Sequence, residues 1–186
     1  MIVFWGIVLG IPVLTYGAVG LVSPARAKRF TDWFRSSNEL ARVLTCAAWF
    51  WTAWELDNIG ICAFDAVTKI FPGELWFLAA LLTYLTIIWM SKNLPVRALT
   101  AILMLFPASL FRVTRLLLPA SGFGAVHIFV VFAYIAAIIG MYGMFYPWRL
   151  EKALDVIYRA PPAVGKAFFF VLSLTGLSLF IAGFIS

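Results

Sequence analysis

The sequence predicts an all-α fold: a polytopic membrane protein built as a bundle of about six transmembrane helices, with residues 1–186 as one integral membrane domain. Of its 186 residues, 64% are hydrophobic and only 12% are charged. The mean hydropathy is +1.01, which is typical of integral membrane proteins. The apolar residues also come in separate runs, and several approach the length of about 20 residues that a spanning helix needs.

Six apolar runs are the predicted spans: Ile2–Val22, Ala41–Leu56, Leu75–Met90, Ala98–Phe111, Phe123–Tyr146 and Val164–Ile185. The first run lacks a basic region and a cleavage site, so we expect it to be retained as a span. The second, third and fourth runs are short and cross the bilayer only if they extend into charged flanks. Four or five spans therefore remain alternatives to six.

Basic residues between the spans predict the orientation. Loops after the first, third and fifth spans hold eleven Lys and Arg residues, whereas the other loops hold three. Because Lys and Arg concentrate on the cytoplasmic side, we expect both termini on the non-cytoplasmic side of a bacterial inner membrane. The net charge of +6 then indicates attraction to anionic lipid headgroups rather than to nucleic acid.

The first loop contains a predicted interfacial amphipathic helix. Phe30, Trp33 and Phe34 follow the i, i+3, i+4 spacing of one helix face. Pro24 is suited to the first helical position, and Ser23 could cap it. Such a helix anchors a loop to the headgroup layer, or it offers a docking surface to a cytoplasmic partner.

A second interfacial helix is predicted over Trp148–Arg159. Leu150, Leu154 and Ile157 form its apolar stripe, and charged residues cover the remainder. Asp155 and Arg159 have the i, i+4 spacing of an ion pair. Pro161 and Pro162 end this helix before the last span.

Small residues line one face of three predicted spans. They are Gly6, Gly10, Val13 and Gly17 in the first span, Ala133, Ala136, Ala137 and Gly140 in the fifth, and Ser173, Gly176 and Gly183 in the sixth. Such faces let membrane helices approach closely, either within the chain or against a foreign helix. Pro107 is expected to kink the fourth span, and no internal repeat is visible.

Four charged residues are the main candidates for an ion-pair or ligand site. Glu55 and Asp57 end the second span, and Arg112 and Arg115 end the fourth span on the same expected side. Ionisable groups at membrane depth are costly and therefore suspect. Three interpretations remain open: charges that snorkel to water, ion pairs that join the two spans, and a site for an anionic ligand or a proton path.

His127, the only histidine, begins the fifth span and is the fifth candidate residue. A single histidine excludes a bis-histidine haem within one protomer. We expect it to be a hydrogen-bonded interface residue, or a donor to a lipid or quinone near Arg112. Cys46 and Cys62 are expected to be small buried hydrophobes without a disulfide, and no metal site is predicted.

Motifs for nucleophilic catalysis, phosphate binding or metal-assisted hydrolysis are absent from the sequence. This favours a non-catalytic integral subunit that scaffolds a larger membrane complex, for example a respiratory or photosynthetic one. A small transporter or channel using the outer-side charges and a lipid- or quinone-directed membrane enzyme are the alternatives. The expected partners are membrane lipids and other integral subunits. The sequence does not identify a cofactor, and a bound lipid or quinone is one candidate.

Overall fold

The computed structural model describes residues 2–59, 74–89, 93–115 and 124–185. These ranges contain eight helices: α1 (Ile2–Val22), α2 (Pro24–Ser36), α3 (Asn38–Ile59), α4 (Glu74–Trp89), α5 (Leu94–Arg115), α6 (Val126–Phe145), α7 (Pro147–Arg159) and α8 (Pro162–Ile185). Every regular element in the described part of the chain is helical, so the predicted all-α class is confirmed.

Four helices, α1, α5, α6 and α8, are long and apolar enough to cross a membrane. Within the described ranges there are therefore four such helices where the sequence predicted six spans. The helix α3 has 22 residues, but four charged side chains lie within it: Glu39, Arg42, Glu55 and Asp57. The helix α4 has only 16 residues, which is below the usual spanning length of about 20.

Prolines begin three of the helices. The first residues of α2, α7 and α8 are Pro24, Pro147 and Pro162. Proline suits this position because the first amide of a helix has no intrahelical acceptor, so its absence costs no hydrogen bond. The predicted side-chain cap at Ser23 is wrong, because its hydroxyl makes no capping bond. Its backbone carbonyl instead accepts the Arg26 amide at 3.0 Å. Pro107 is buried inside α5, which continues past it to Arg115.

The small-residue faces pack against each other within the chain. The helices α1 and α8 run side by side, and a Cβ added to Gly6 would lie 2.9 Å from the Gly183 Cα. In the same way, a Cβ on Gly140 of α6 would lie 2.9 Å from the Thr100 carbonyl oxygen of α5. Both contacts require glycine, because backbone lies where a side chain would begin. The intramolecular interpretation of these faces is therefore correct for the described helices.

A hydrophobic core joins α1, α5, α6 and α8. Its most buried members include Phe106, Leu110, Phe129 and Leu179. Cys46 of α3 lies outside this core and is an exposed free thiol, which corrects the expectation that it is buried. Neighbouring helices cover the face of α3 that carries Thr45 and Ala48, and Cys46 points away from it. Cys62 lies outside the described residues.

The order of elements repeats once along the chain. In both α1–α2–α3 and α6–α7–α8, a long helix is followed after one residue by a 13-residue helix that begins with proline, and then by another long helix. The repeat was not visible in the sequence, because the two short helices share few identical side chains. It brings α2 and α7 to the same end of the bundle, where Arg35 pairs with Asp155.

Candidate functional site

Glu55 is the one buried acidic residue in the described part of the chain, and its side chain is only 4% exposed. One carboxylate oxygen, Oε2, accepts a hydrogen bond from Arg112 Nη2 at 2.5 Å. The other oxygen, Oε1, accepts the Ser109 hydroxyl and, at 3.3 Å, the indole N–H of Trp51. We call these four residues, Trp51, Glu55, Ser109 and Arg112, the Glu55 cluster.

Helical spacing explains why two elements suffice to build the cluster. Trp51 and Glu55 are four residues apart on α3, and Ser109 and Arg112 are three residues apart on α5, so each pair shares one helix face. The two faces meet where α3 packs beside α5. The Trp51 indole N–H also lies 3.1 Å from the Ser109 hydroxyl, which closes the network between the helices.

Aromatic rings cover the Glu55 cluster. Trp5 of α1 stacks on Trp51, with ring centroids 6.3 Å apart and planes 20° apart. Trp5 also lies 6.4 Å from the ring of Phe106 on α5. The Arg112 guanidinium lies over the Trp54 ring at 6.0 Å, within the range of a cation–π contact. These rings keep water from the carboxylate and strengthen its hydrogen bonds.

The two charges of the cluster differ in their access to solvent. The Arg112 side chain is 42% exposed, whereas that of Glu55 is 4% exposed. Taking an ion pair out of water costs more than its mutual attraction returns unless further hydrogen bonds complete it. Ser109 and Trp51 supply those bonds. The cluster can therefore act as a clamp between α3 and α5 that is open to its surroundings only along the arginine.

The structure brings together two of the four predicted charges and not the other two. Glu55 does not snorkel, because it is buried against α5. Asp57 and Arg115 are exposed, and neither forms an ion pair within the described residues. Asp57 is two residues beyond Glu55 on α3 and so projects from a different face of the helix.

His127 lies at the first turn of α6. Its Nδ1 lies 3.0 Å from the Gly124 backbone nitrogen and 3.1 Å from the Gly124 carbonyl oxygen, so it accepts from the amide in one tautomer and donates to the carbonyl in the other. The histidine thus holds the start of its own helix, where amide protons lack intrahelical acceptors. Sequence reasoning missed Ser109 and Trp51, although their spacing from Arg112 and Glu55 carried the signal.

A second polar cluster, which we call the α2–α7 junction, lies at the opposite end of the bundle. The Tyr158 hydroxyl is 2.6 Å from that of Tyr16 and 2.9 Å from that of Thr31. Arg35 Nη1 donates to Asp155 Oδ1 at 2.8 Å. Asp155 thus pairs with α2, which corrects the predicted pair with Arg159.

The junction shifts two pKa values in opposite directions. The hydrogen bond from Arg35 lowers the pKa of Asp155, because it favours the ionised carboxylate. Burial raises the pKa of Tyr158, because the phenolate would lose its hydration. Both shifts stabilise the protonation states that the junction uses at neutral pH.

Comparisons with protein-family models, with curated proteins and with solved structures found no match to this chain. Within residues 2–59, 74–89, 93–115 and 124–185, no group of three or more His, Cys, Asp or Glu side chains could hold a metal ion. The chemistry of the Glu55 cluster therefore follows from its geometry alone.

Proposed function

We propose that the chain is an integral protein of a bacterial inner membrane that crosses the bilayer six times, with α3 and α4 as the second and third spans. The distribution of Lys and Arg supports termini on the non-cytoplasmic side. Side-by-side contacts support α3 and α4 as spans: the Trp49 indole donates to the Thr86 hydroxyl at 3.0 Å, and the Phe50 and Trp76 rings lie 5.9 Å apart. In this arrangement α2 and α7 lie at the cytoplasmic interface.

We further propose that the protein is a non-catalytic subunit that scaffolds a larger membrane complex. Tyr134 carries this proposal. It lies eight residues into α6, or about 12 Å from the helix start, and its side chain is 59% exposed. Its ring packs on Phe111, but its hydroxyl makes no hydrogen bond within the described residues.

A hydroxyl at this depth faces hydrocarbon, where an unsatisfied polar group is costly. We therefore propose that a helix of another integral subunit supplies the acceptor and covers the outer face of α6. The Glu55 cluster fits a structural role, because its donors already occupy both carboxylate oxygens.

Extraction in a mild detergent and native mass spectrometry test the scaffold proposal. We expect stoichiometric foreign subunits in complex with the chain. Tyr134→Phe should reduce their retention, whereas Tyr142→Phe should not, since Tyr142 is also exposed but lies only three residues from the end of α6, at the proposed interface. A chain that is recovered alone, or only with copies of itself, would contradict the proposal.

A transporter that uses Glu55 and Arg112 is the second candidate. The observation that favours it is the contrast in exposure, because the exposed Arg112 gives the buried Glu55 one route to the outside. Proton or ion flux into liposomes should then fall in Glu55→Gln and persist in Asp57→Asn, the exposed acid two residues away. Flux that survives the Glu55→Gln/Arg112→Gln double substitution would rule out this mechanism.

A further inference from the structure

The α2–α7 junction makes one rigid unit of two helices that are distant in sequence. Arg35 bridges them twice, through Asp155 Oδ1 at 2.8 Å and through the Glu151 backbone carbonyl at 3.0 Å. Tyr158 of α7 reaches both Thr31 of α2 and Tyr16 of α1. These bonds fix which faces of α2 and α7 remain uncovered.

One uncovered face of α2 combines aromatic and basic side chains. Arg26, Arg29, Phe30 and Trp33 follow i, i+3, i+4, i+7 spacing and are all exposed, while Ala27 and Thr31 are buried on another face. The Phe30 ring lies 6.2 Å from that of Tyr16. Tyr16 lies six residues, or about 9 Å, before the end of α1, so the Phe30 ring reaches back along that helix; with α1 as the first span of the proposed arrangement, this side of α2 lies at the bilayer interface.

The uncovered face of α7 has the same composition. Trp148, Lys152, Val156 and Arg159 follow i, i+4, i+8, i+11 spacing and are exposed, with Arg149 beside them. Trp148 and Val156 are 48% and 64% exposed. The apolar residues Leu150, Leu154 and Ile157, by contrast, are half-buried against the bundle. The exposed face therefore carries three bases interleaved with apolar side chains.

We propose that the uncovered faces of α2 and α7 together form a binding platform for anionic phospholipid headgroups. With Arg35 and Asp155 paired to each other, the two helices retain six bases, Arg26, Lys28, Arg29, Arg149, Lys152 and Arg159, against the acids Asp32 and Glu151. The bases contact lipid phosphates, while Phe30, Trp33 and Trp148 insert at the boundary between headgroups and acyl chains. The inference rests on the proposed interfacial placement of α2 and α7 and not on the scaffold function.

Lipid fits this surface better than an acidic protein, because aromatic and basic residues alternate along the same helix faces. At the bilayer interface the two kinds of side chain interact at different depths: the basic group contacts the lipid phosphate, and the aromatic ring lies just below it. A protein partner would instead have to bury isolated bases among the rings.

Native mass spectrometry of the purified chain in a neutral detergent, titrated with phosphatidylglycerol or phosphatidylcholine, tests the platform. The test variant is Arg29→Gln/Lys152→Gln. The matched control is Arg42→Gln/Lys166→Gln, which removes the same charge from exposed positions outside the platform. We expect the wild type to prefer phosphatidylglycerol. The test variant should bind it on the order of tenfold more weakly, with phosphatidylcholine binding unchanged.

Equal weakening in both double variants would overturn the platform, because lipid binding would then follow total charge rather than this surface. The platform would also be overturned if the wild type showed no preference for phosphatidylglycerol. That result would favour an acidic protein as the partner of this surface. Trp33→Ser tests insertion separately, and binding of both lipids should weaken. Because lipid titration does not depend on foreign subunits, failure of the platform and failure of the scaffold proposal are distinguishable.

Discussion

Replacing Arg112 by methionine tests whether the Glu55 cluster is a structural clamp. Arg112→Met removes the guanidinium that lies 2.5 Å from Glu55 Oε2 and keeps an unbranched side chain that suits a helix. The carboxylate, only 4% exposed, then keeps two donors, Ser109 and Trp51, and has no positive partner. The variant therefore leaves a charge buried among apolar side chains without a positive partner.

The expected loss of stability depends on how deeply each member of the ion pair is buried. Removing one member of a fully buried ion pair costs about 3–5 kcal/mol. Because Arg112 is 42% exposed and two donors remain, we expect Arg112→Met to lower the free energy of unfolding by about 2–3 kcal/mol. Glu55→Gln should cost about 1 kcal/mol, since its amide oxygen still accepts hydrogen bonds and the arginine can turn to water. The double variant leaves no buried charge and should be more stable than Arg112→Met alone.

Reversible unfolding in bicelles or mixed micelles measures these differences as a double-mutant cycle. Arg115→Met is the control, because Arg115 is exposed, one turn further along α5, and should change stability by less than about 0.5 kcal/mol. If Arg112→Met is no more destabilising than Arg115→Met, or if the two substitutions in the cluster add without coupling, the clamp is refuted.

Three further predictions concern helix packing and the α2–α7 junction. Gly6→Ala should lower the free energy of unfolding by about 1–2 kcal/mol, because its Cβ would meet the Gly183 backbone. Gly165→Ala is the control and should have no such effect, because the nearest atom to its added Cβ is a carbonyl oxygen at 3.7 Å. Equal destabilisation by both substitutions would contradict the close packing at Gly6. Because Arg35 lowers the pKa of Asp155, their ion pair stabilises the fold at pH values above the ordinary aspartate pKa of 3.8. This stabilisation is lost as the pH falls through the lower pKa of the folded state. In unfolding measurements over a pH series, Asp155→Asn should therefore show a smaller loss of stability in acid than the wild type. Because burial raises the pKa of Tyr158, the wild type should lose stability as pH rises above 10, and Tyr158→Phe should lose less; identical alkaline profiles would show that this tyrosine is not buried.

The membrane class and much of the helix packing could be predicted from the sequence. Small residues at helical spacing mark faces where helices approach closely, and the Gly6 and Gly140 contacts follow that rule. The helix start at Pro24 was also predicted, since proline fixes its own backbone angle, whereas the starts at Pro147 and Pro162 were placed one and two residues too late. These features depend on neighbours in sequence or on local backbone chemistry.

The partners of individual charges could not be predicted in the same way. Asp155 has Arg159 at helical spacing, yet it pairs with Arg35, 120 residues away. At the surface, an i, i+4 pair contributes only a few tenths of a kcal/mol, so a better-placed arginine on another helix prevails. For Glu55 and Asp57, the sequence left three interpretations open because it did not show which face of α3 meets α5.

By itself, the sequence predicted an all-α fold with helices long and apolar enough to cross a membrane, because apolar runs of spanning length can satisfy their backbone in a bilayer only as helices. Tertiary structure alone decided that Glu55, Ser109 and Arg112 form one cluster while Asp57 and Arg115 remain outside it. It also decided that α2 and α7 form one unit through Arg35 and Tyr158. The physical reason is the distance along the chain over which each effect acts. Hydrophobic periodicity depends on residues within one helix. A buried charge is instead stabilised by side chains of any helix that packs within hydrogen-bond distance of it.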